Sequence, residues 1–149
     1  MRHGSALAFT AVLYLTAIGC DEKLSDVAGP TPTLTPTFSS IQREIFNTTD
    51  SSGRAACTQC HNTQGAQQAA RLNLSEGVSY AALVGTPSTN KAGAVRVIPG
   101  DAENSYLIQK LEGAAGIVGQ RMPRTGGPYL TPGQLLVIRR WIQLGAQND

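Results

Sequence analysis

The chain has 149 residues, enough for one domain of ordinary size preceded by a targeting segment. A formal net charge of +2 speaks against a nucleic-acid binder, which carries a clustered basic excess. With 16 glycines, 8 prolines and aromatics at 5%, the composition points to a loop-rich fold whose side chains alone make a thin core.

The first residues read as an export signal. Met1-Arg2-His3 is short and positive, Ala6 to Ile18 is apolar, and Ala17-Ile18-Gly19 puts small residues before Cys20. The closing Gly19-Cys20 resembles the lipobox of bacterial lipoproteins. That resemblance implies residues 1–19 as a cleaved signal peptide and lipidation of Cys20. The competing readings are an uncleaved membrane helix and ordinary cleavage that leaves Cys20 a thiol. The apolar run from Gly4 to Gly19 is shorter than the roughly 20 residues a span needs. Residues 20–38 then form the anchor and a tether. Its run Gly29-Pro30-Thr31-Pro32-Thr33-Leu34-Thr35-Pro36-Thr37 favours extended, polyproline-like chain that cannot bury a core. The expected setting is the bacterial cell envelope, on a membrane surface facing the periplasmic or extracytoplasmic side.

Residues 39–149 form the expected globular domain. Ser39 and Gln42 have the spacing of a capping box, and Ile41, Ile45 and Phe46 give a short helix one apolar face. Leu72-Asn73-Leu74 and Val78 to Val84 form a second apolar segment, closed by Gly85. Ala94-Val95-Arg96-Val97-Ile98 is the one strand-like run. Pro99-Gly100-Asp101 predicts a turn that starts a helix, with Asp101 as cap and Tyr106, Leu107, Ile108 and Leu111 as its buried stripe. The last helix is the best marked: Thr131 caps, Pro132 fills the first turn, and Gln134 completes a capping box. Leu135, Ile138 and Ile142 then repeat at helical spacing, widened by Leu136, Val137 and Trp141, with Gly145 at the stop. The pattern predicts an all-α domain with short helices and long loops.

The chemistry sits in Cys57-Thr58-Gln59-Cys60-His61. Two cysteines three positions apart on a helical turn present both sulfurs to one side, each able to form a thioether with a haem vinyl group. The next residue, His61, then comes under the porphyrin as the proximal iron ligand. A zinc site needs about four protein ligands, and after loss of the signal the chain offers no further histidine and no cysteine beyond Cys20. A thioredoxin-like pair needs a strand-helix context that is missing. A disulfide at this spacing leaves the histidine unexplained.

Counting narrows the distal position. The histidines are His3 and His61, and the methionines are Met1 and Met122. The mature chain therefore has one of each, and Met122, in the loop Gly119-Gln120-Arg121-Met122-Pro123-Arg124-Thr125-Gly126-Gly127, is the candidate second iron ligand. The alternative is a packing methionine beside an open or water-filled sixth position. Arg54, Arg121, Arg124, Arg139 and Arg140 could gather at the haem edge, but solvated surface charge is the simpler reading for most.

On these residues the run from Ser40 to Ala146 resembles a class I-type monohaem cytochrome c domain. It is most similar to the planctomycete-type bacterial cytochrome c domains. The matching elements are Cys57 to His61, Val97-Ile98-Pro99-Gly100-Asp101, Ser105 to Leu111, Arg121-Met122-Pro123 and Trp141 to Ala146. The resemblance implies a cytochrome c-like fold around one covalently attached haem c, with terminal helices packed beside it and Met122 as distal ligand. It implies one-electron transfer with a redox protein partner; an enzyme is the weakest option, because His61 is committed to iron and no Ser/His/Asp set or phosphate-binding glycine motif is present. A haem-based ligand sensor in which Met122 is displaced is the alternative.

Overall fold

The first helix starts earlier than the Ser39 pattern predicts, because Thr37 has the better placed hydroxyl. In the computed structural model, which describes residues 33–63 and 69–149, Thr37 Oγ1 accepts from the Ser40 N–H and opens α1 (Phe38–Ile41). Asp149 adds a second cap: its carboxylate accepts from Phe38 N at 2.7 Å and its carbonyl from Ser39 N at 2.9 Å. Ser39 therefore lies inside the helix. The chain runs on into a wider π turn, Gln42–Phe46, and the Gln42 amide points inward instead of closing a capping box. Its Nε2 donates to the Leu74 carbonyl and to Asn47 Oδ1, both at 2.8 Å, and its Oε1 accepts from the Ser79 hydroxyl. A buried amide with its partners supplied ties three segments together.

Single 3₁₀ turns follow at Cys57–Gln59 and Ala69–Arg71, then α2 (Ser79–Leu83), α3 (Tyr106–Glu112) and α4 (Pro132–Gln143). The strand-like run at Ala94 to Ile98 makes isolated bridges, Val97 with Val84, Val95 with Pro87 and Ile98 with Asp101, and no sheet. Among the described residues the architecture is helical, as the all-α expectation requires.

Asp101 does not cap α3. Its carboxylate accepts from Asn104 N at 3.1 Å and Nδ2 at 2.7 Å, closing a turn ahead of the helix. The cap position falls to Ser105, whose buried hydroxyl is already committed, accepting from Ile98 N and donating to the Asp101 carbonyl. At the other end Gly113 has φ 73°, a left-handed conformation that costs glycine little. α4 matches its sequence pattern: Thr131 accepts from Gln134 N, and Gln134 Oε1 accepts from Thr131 N.

Ile41, Ile45, Phe46, Leu83, Ile108, Val137, Ile138, Trp141 and Ile142 share one core. The first and last helices meet through aromatic rings: Phe38 lies 5.3 Å from Trp141 and 5.2 Å, edge-on, from Tyr80. Leu34 packs into the same core, so the folded unit takes in the last residues of the stretch expected to be tether. Arg139 links α3 to α4, pairing with Glu112 at 2.7 Å and also with Glu103. No described helix is long and apolar enough to cross a membrane. The expected signal segment and Cys20 lie outside the described residues.

Candidate cofactor site

Local backbone bonding presents the Cys57 to His61 motif. Cys60 N and His61 N both donate to the Cys57 carbonyl, at 3.2 and 2.9 Å, winding the segment into one tight turn. Both thiols are free, Cys57 partly covered and Cys60 exposed. Burial pushes the Cys57 thiol above its usual pKa, and the nearby Arg54 charge opposes that shift without cancelling it.

His61 is held at two points by one neighbouring strip of chain. Leu74 N donates to the His61 carbonyl at 2.9 Å, and the ring Nδ1 lies 3.3 Å from the Leu72 carbonyl. A carbonyl can only accept, so that contact puts the proton on Nδ1 and the lone pair on Nε2. This is the tautomer a metal-binding imidazole uses when its second nitrogen is oriented by the protein.

The Met122 loop is fastened to α3 from several sides. Met122 N donates to the Lys110 carbonyl at 2.9 Å, and Arg121 Nε to the Leu111 carbonyl at 2.7 Å. Lys110 Nζ donates to the carbonyls of Val118 and Gln120, and Val118 N donates to the Tyr106 hydroxyl at 2.9 Å. The Arg121 guanidinium stacks 3.9 Å from the Tyr129 ring centroid. Partial burial lowers the Lys110 pKa from its ordinary value.

Cys57, Cys60, His61 and Met122 line one cavity of about 400 Å³, within the range of about 300–1,000 Å³ usual for small-molecule and cofactor sites. Leu72, Leu74, Leu83, Leu107, Leu111 and Leu130 make its walls apolar. Arg54, Arg96, Lys110 and Arg124 also border it, and among the described residues no aspartate or glutamate does. Apolar walls with cations and no acid suit a large apolar body that carries anionic groups. A haem with its two propionates has that chemistry, so the residues present fit it. Among the described residues, no three His, Cys, Asp or Glu side chains group into a metal cage. No family model matches the chain, and no curated protein or solved structure matches it either.

Of the five arginines read as mostly solvated, Arg54 is the clearest departure. It is 1% exposed. Its Nε pairs with Asp50 at 3.0 Å, and its Nη1 reaches the carbonyls of Ile45 and Ala55 at 3.3 Å and Cys57 Sγ at 4.0 Å. Its Nη2 is, among the described residues, the one buried side-chain nitrogen or oxygen without a partner. Arg139 and Arg121 are engaged as described above, and Arg124 is exposed. Sequence reading passed over Arg96 and Lys110 because each lies within an apolar run whose pattern it interrupts without a motif of its own.

Proposed function

We propose that the chain is a one-electron carrier built around a single covalently attached haem c, adopting a cytochrome c-like arrangement. Cys57 and Cys60 would hold the group through thioethers, and His61 Nε2 and the Met122 thioether would be its axial ligands. When bound, the haem supplies the ferric/ferrous couple. The observation that carries this reading is the convergence of Cys57, Cys60, His61 and Met122 on one apolar cavity that no described acid lines. The contact between the first and last helices is the arrangement that the family resemblance implies.

The chain's own residues favour a carrier over a ligand sensor. A carrier needs both axial side chains to stay in place through the redox change. The Leu72 carbonyl orients the His61 ring, and the bonds from Lys110, Arg121 and Tyr106 restrain the loop that bears Met122. Apolar walls would keep water from the iron, and in this reading a partner protein would approach from the exposed Cys60 side. Such encounters are characteristically small and short-lived. In this reading lipidation of Cys20 confines them to a membrane surface of the cell envelope.

The test is the full chain produced with a c-type cytochrome maturation system. Covalent haem should be retained after denaturation, and the oxidised protein should show a weak far-red thioether-to-iron band. Met122→Ala should keep the haem, lose that band and lower the reduction potential. Protein that matures without haem sinks the reading, and rapid carbon monoxide binding to the reduced wild type turns it toward the sensor.

A further inference from the structure

A second buried guanidinium borders the cavity on a different stretch of wall. Arg96 is 8% exposed. Its Nη1 donates to the Ala82 carbonyl at 2.7 Å, and its Nη2 to the carbonyls of Ala70 at 3.0 Å and Arg71 at 3.4 Å. Those bonds occupy three of its five N–H donors, and the other two meet no acceptor among the described residues. All three acceptors are neutral, and no described carboxylate pairs with it. Burial lowers its pKa from the ordinary arginine value, as expected of a cation without an answering charge. A buried charge left this way is costly, and an incoming anion would offset that cost.

The surrounding backbone is shaped around this group. Ala70 and Arg71 both have positive φ, 60° and 51°, uncommon for residues with a Cβ, and both offer their carbonyls to Arg96. The Thr89 hydroxyl donates to the same Ala70 carbonyl at 2.5 Å. That bond draws the loop of Ser88, Thr89 and Asn90 alongside, and Ser88 and Asn90 also line the cavity.

The site deepens the haem reading and rests on it. In a haem the vinyl groups occupy one edge of the porphyrin and the two propionates the opposite edge. Thioethers at Cys57 and Cys60 would therefore turn the carboxylates away from the sulfurs. Arg54, 4.0 Å from Cys57 Sγ and already paired with Asp50, would then lie on the vinyl side. Lys110 gives its ammonium to the carbonyls of the Met122 loop, and Arg124 is exposed. Arg96 remains. We propose that Arg96, with Ser88 and Asn90 beside it, is the receptor for a propionate carboxylate of the bound haem.

Resonance Raman spectroscopy of the full-length haem protein tests this, because the propionate bending bands report the hydrogen bonding of those carboxylates. Arg96→Gln should shift the bands and lower the reduction potential, since a cation near the iron favours the reduced form. Covalent attachment and the far-red band should persist. Ser88→Asp places a competing carboxylate beside Arg96 from a half-buried loop position, and should shift the same bands even if Arg96→Gln fails to accumulate. Wild-type bands in Ser88→Asp, or in both variants, overturn the receptor and leave the haem reading intact. Wild-type protein without covalent haem overturns both.

Discussion

Arg54 and Arg96 border the same cavity, and both are withdrawn from water, yet their surroundings differ in one respect. Arg54 has its own anion: Asp50 pairs with Nε at 3.0 Å, and the backbone N–H of Arg54 also donates to that carboxylate at 3.1 Å. Among the described residues Arg96 has only neutral carbonyls as partners. Arg54 therefore has its charge answered within the described chain and acts as a structural clamp, joining the Gln42–Phe46 turn to the cysteine motif through Ile45, Ala55 and Cys57, with only Nη2 unpartnered. In the proposed reading Arg96 receives its countercharge from the haem. Burial alone does not separate a structural cation from a ligand-facing one; the location of the countercharge does.

The largest expected effect follows from breaking the clamp. Arg54→Ala leaves the Asp50 carboxylate, 12% exposed, without its cation and strips the donors from three acceptors. Removing one partner of a buried pair costs about 3–5 kcal/mol, which urea denaturation would read. Arg54→Lys should recover only part of this, because an ammonium cannot replace the planar fork that reaches Asp50 and the carbonyls together. A loss no greater than that of a surface arginine such as Arg140 would remove the distinction between the two sites.

A smaller effect separates the arginines by pH. Burial alone would raise the Asp50 carboxyl, but hydrogen bonds from Ser52 and Arg54, with the Arg54 charge, hold it below its usual value. Folding thus favours the carboxylate. Its contribution is complete above the unfolded value of about 3.9 and is lost as pH falls through the lower folded value. Asp50→Asn should be less stable than wild type at neutral pH and show a flatter acid limb below about pH 4. Arg96→Gln leaves every described carboxylate of the chain with its wild-type partners, so any change it makes to the acid limb of the haem protein reports the propionate rather than Asp50. Equal acid limbs in wild type and Asp50→Asn would show that Asp50 is not the group responsible.

The two arginines also mark where sequence reading stops. α4 was legible because its signals are local: a Thr131/Gln134 box, Pro132 in the first turn and apolar residues at helical spacing. The cysteine turn and its histidine were legible for the same reason, and counting methionines led to Met122, which lines the same cavity. Arg54 and Arg96 are buried by carbonyls that arrive from Ile45, Ala70 and Ala82, and no local pattern records such a convergence. Asp101 and Gln42 misled for a related reason. Each has a capping residue's chemistry, but Asn104 claims the first, and Leu74 and Ser79 claim the second.

The smallest effect supplies the control that keeps the comparison honest. Thr131→Ala removes a hydroxyl that accepts from Gln134 N, at the start of a helix that packs on α3 and does not touch Arg54 or Arg96 through any described hydrogen bond. Loss of an N-cap side chain typically costs about 1 kcal/mol, and here the reciprocal bond from Thr131 N to Gln134 Oε1 survives to moderate it. The urea midpoint should fall while the far-red band and the propionate Raman bands stay at their wild-type positions. General softening of the fold would move those bands in Thr131→Ala as well. A shift confined to Arg96→Gln and Ser88→Asp would locate the effect at the Arg96 side of the cavity, where the described residues provide a cation and no anion.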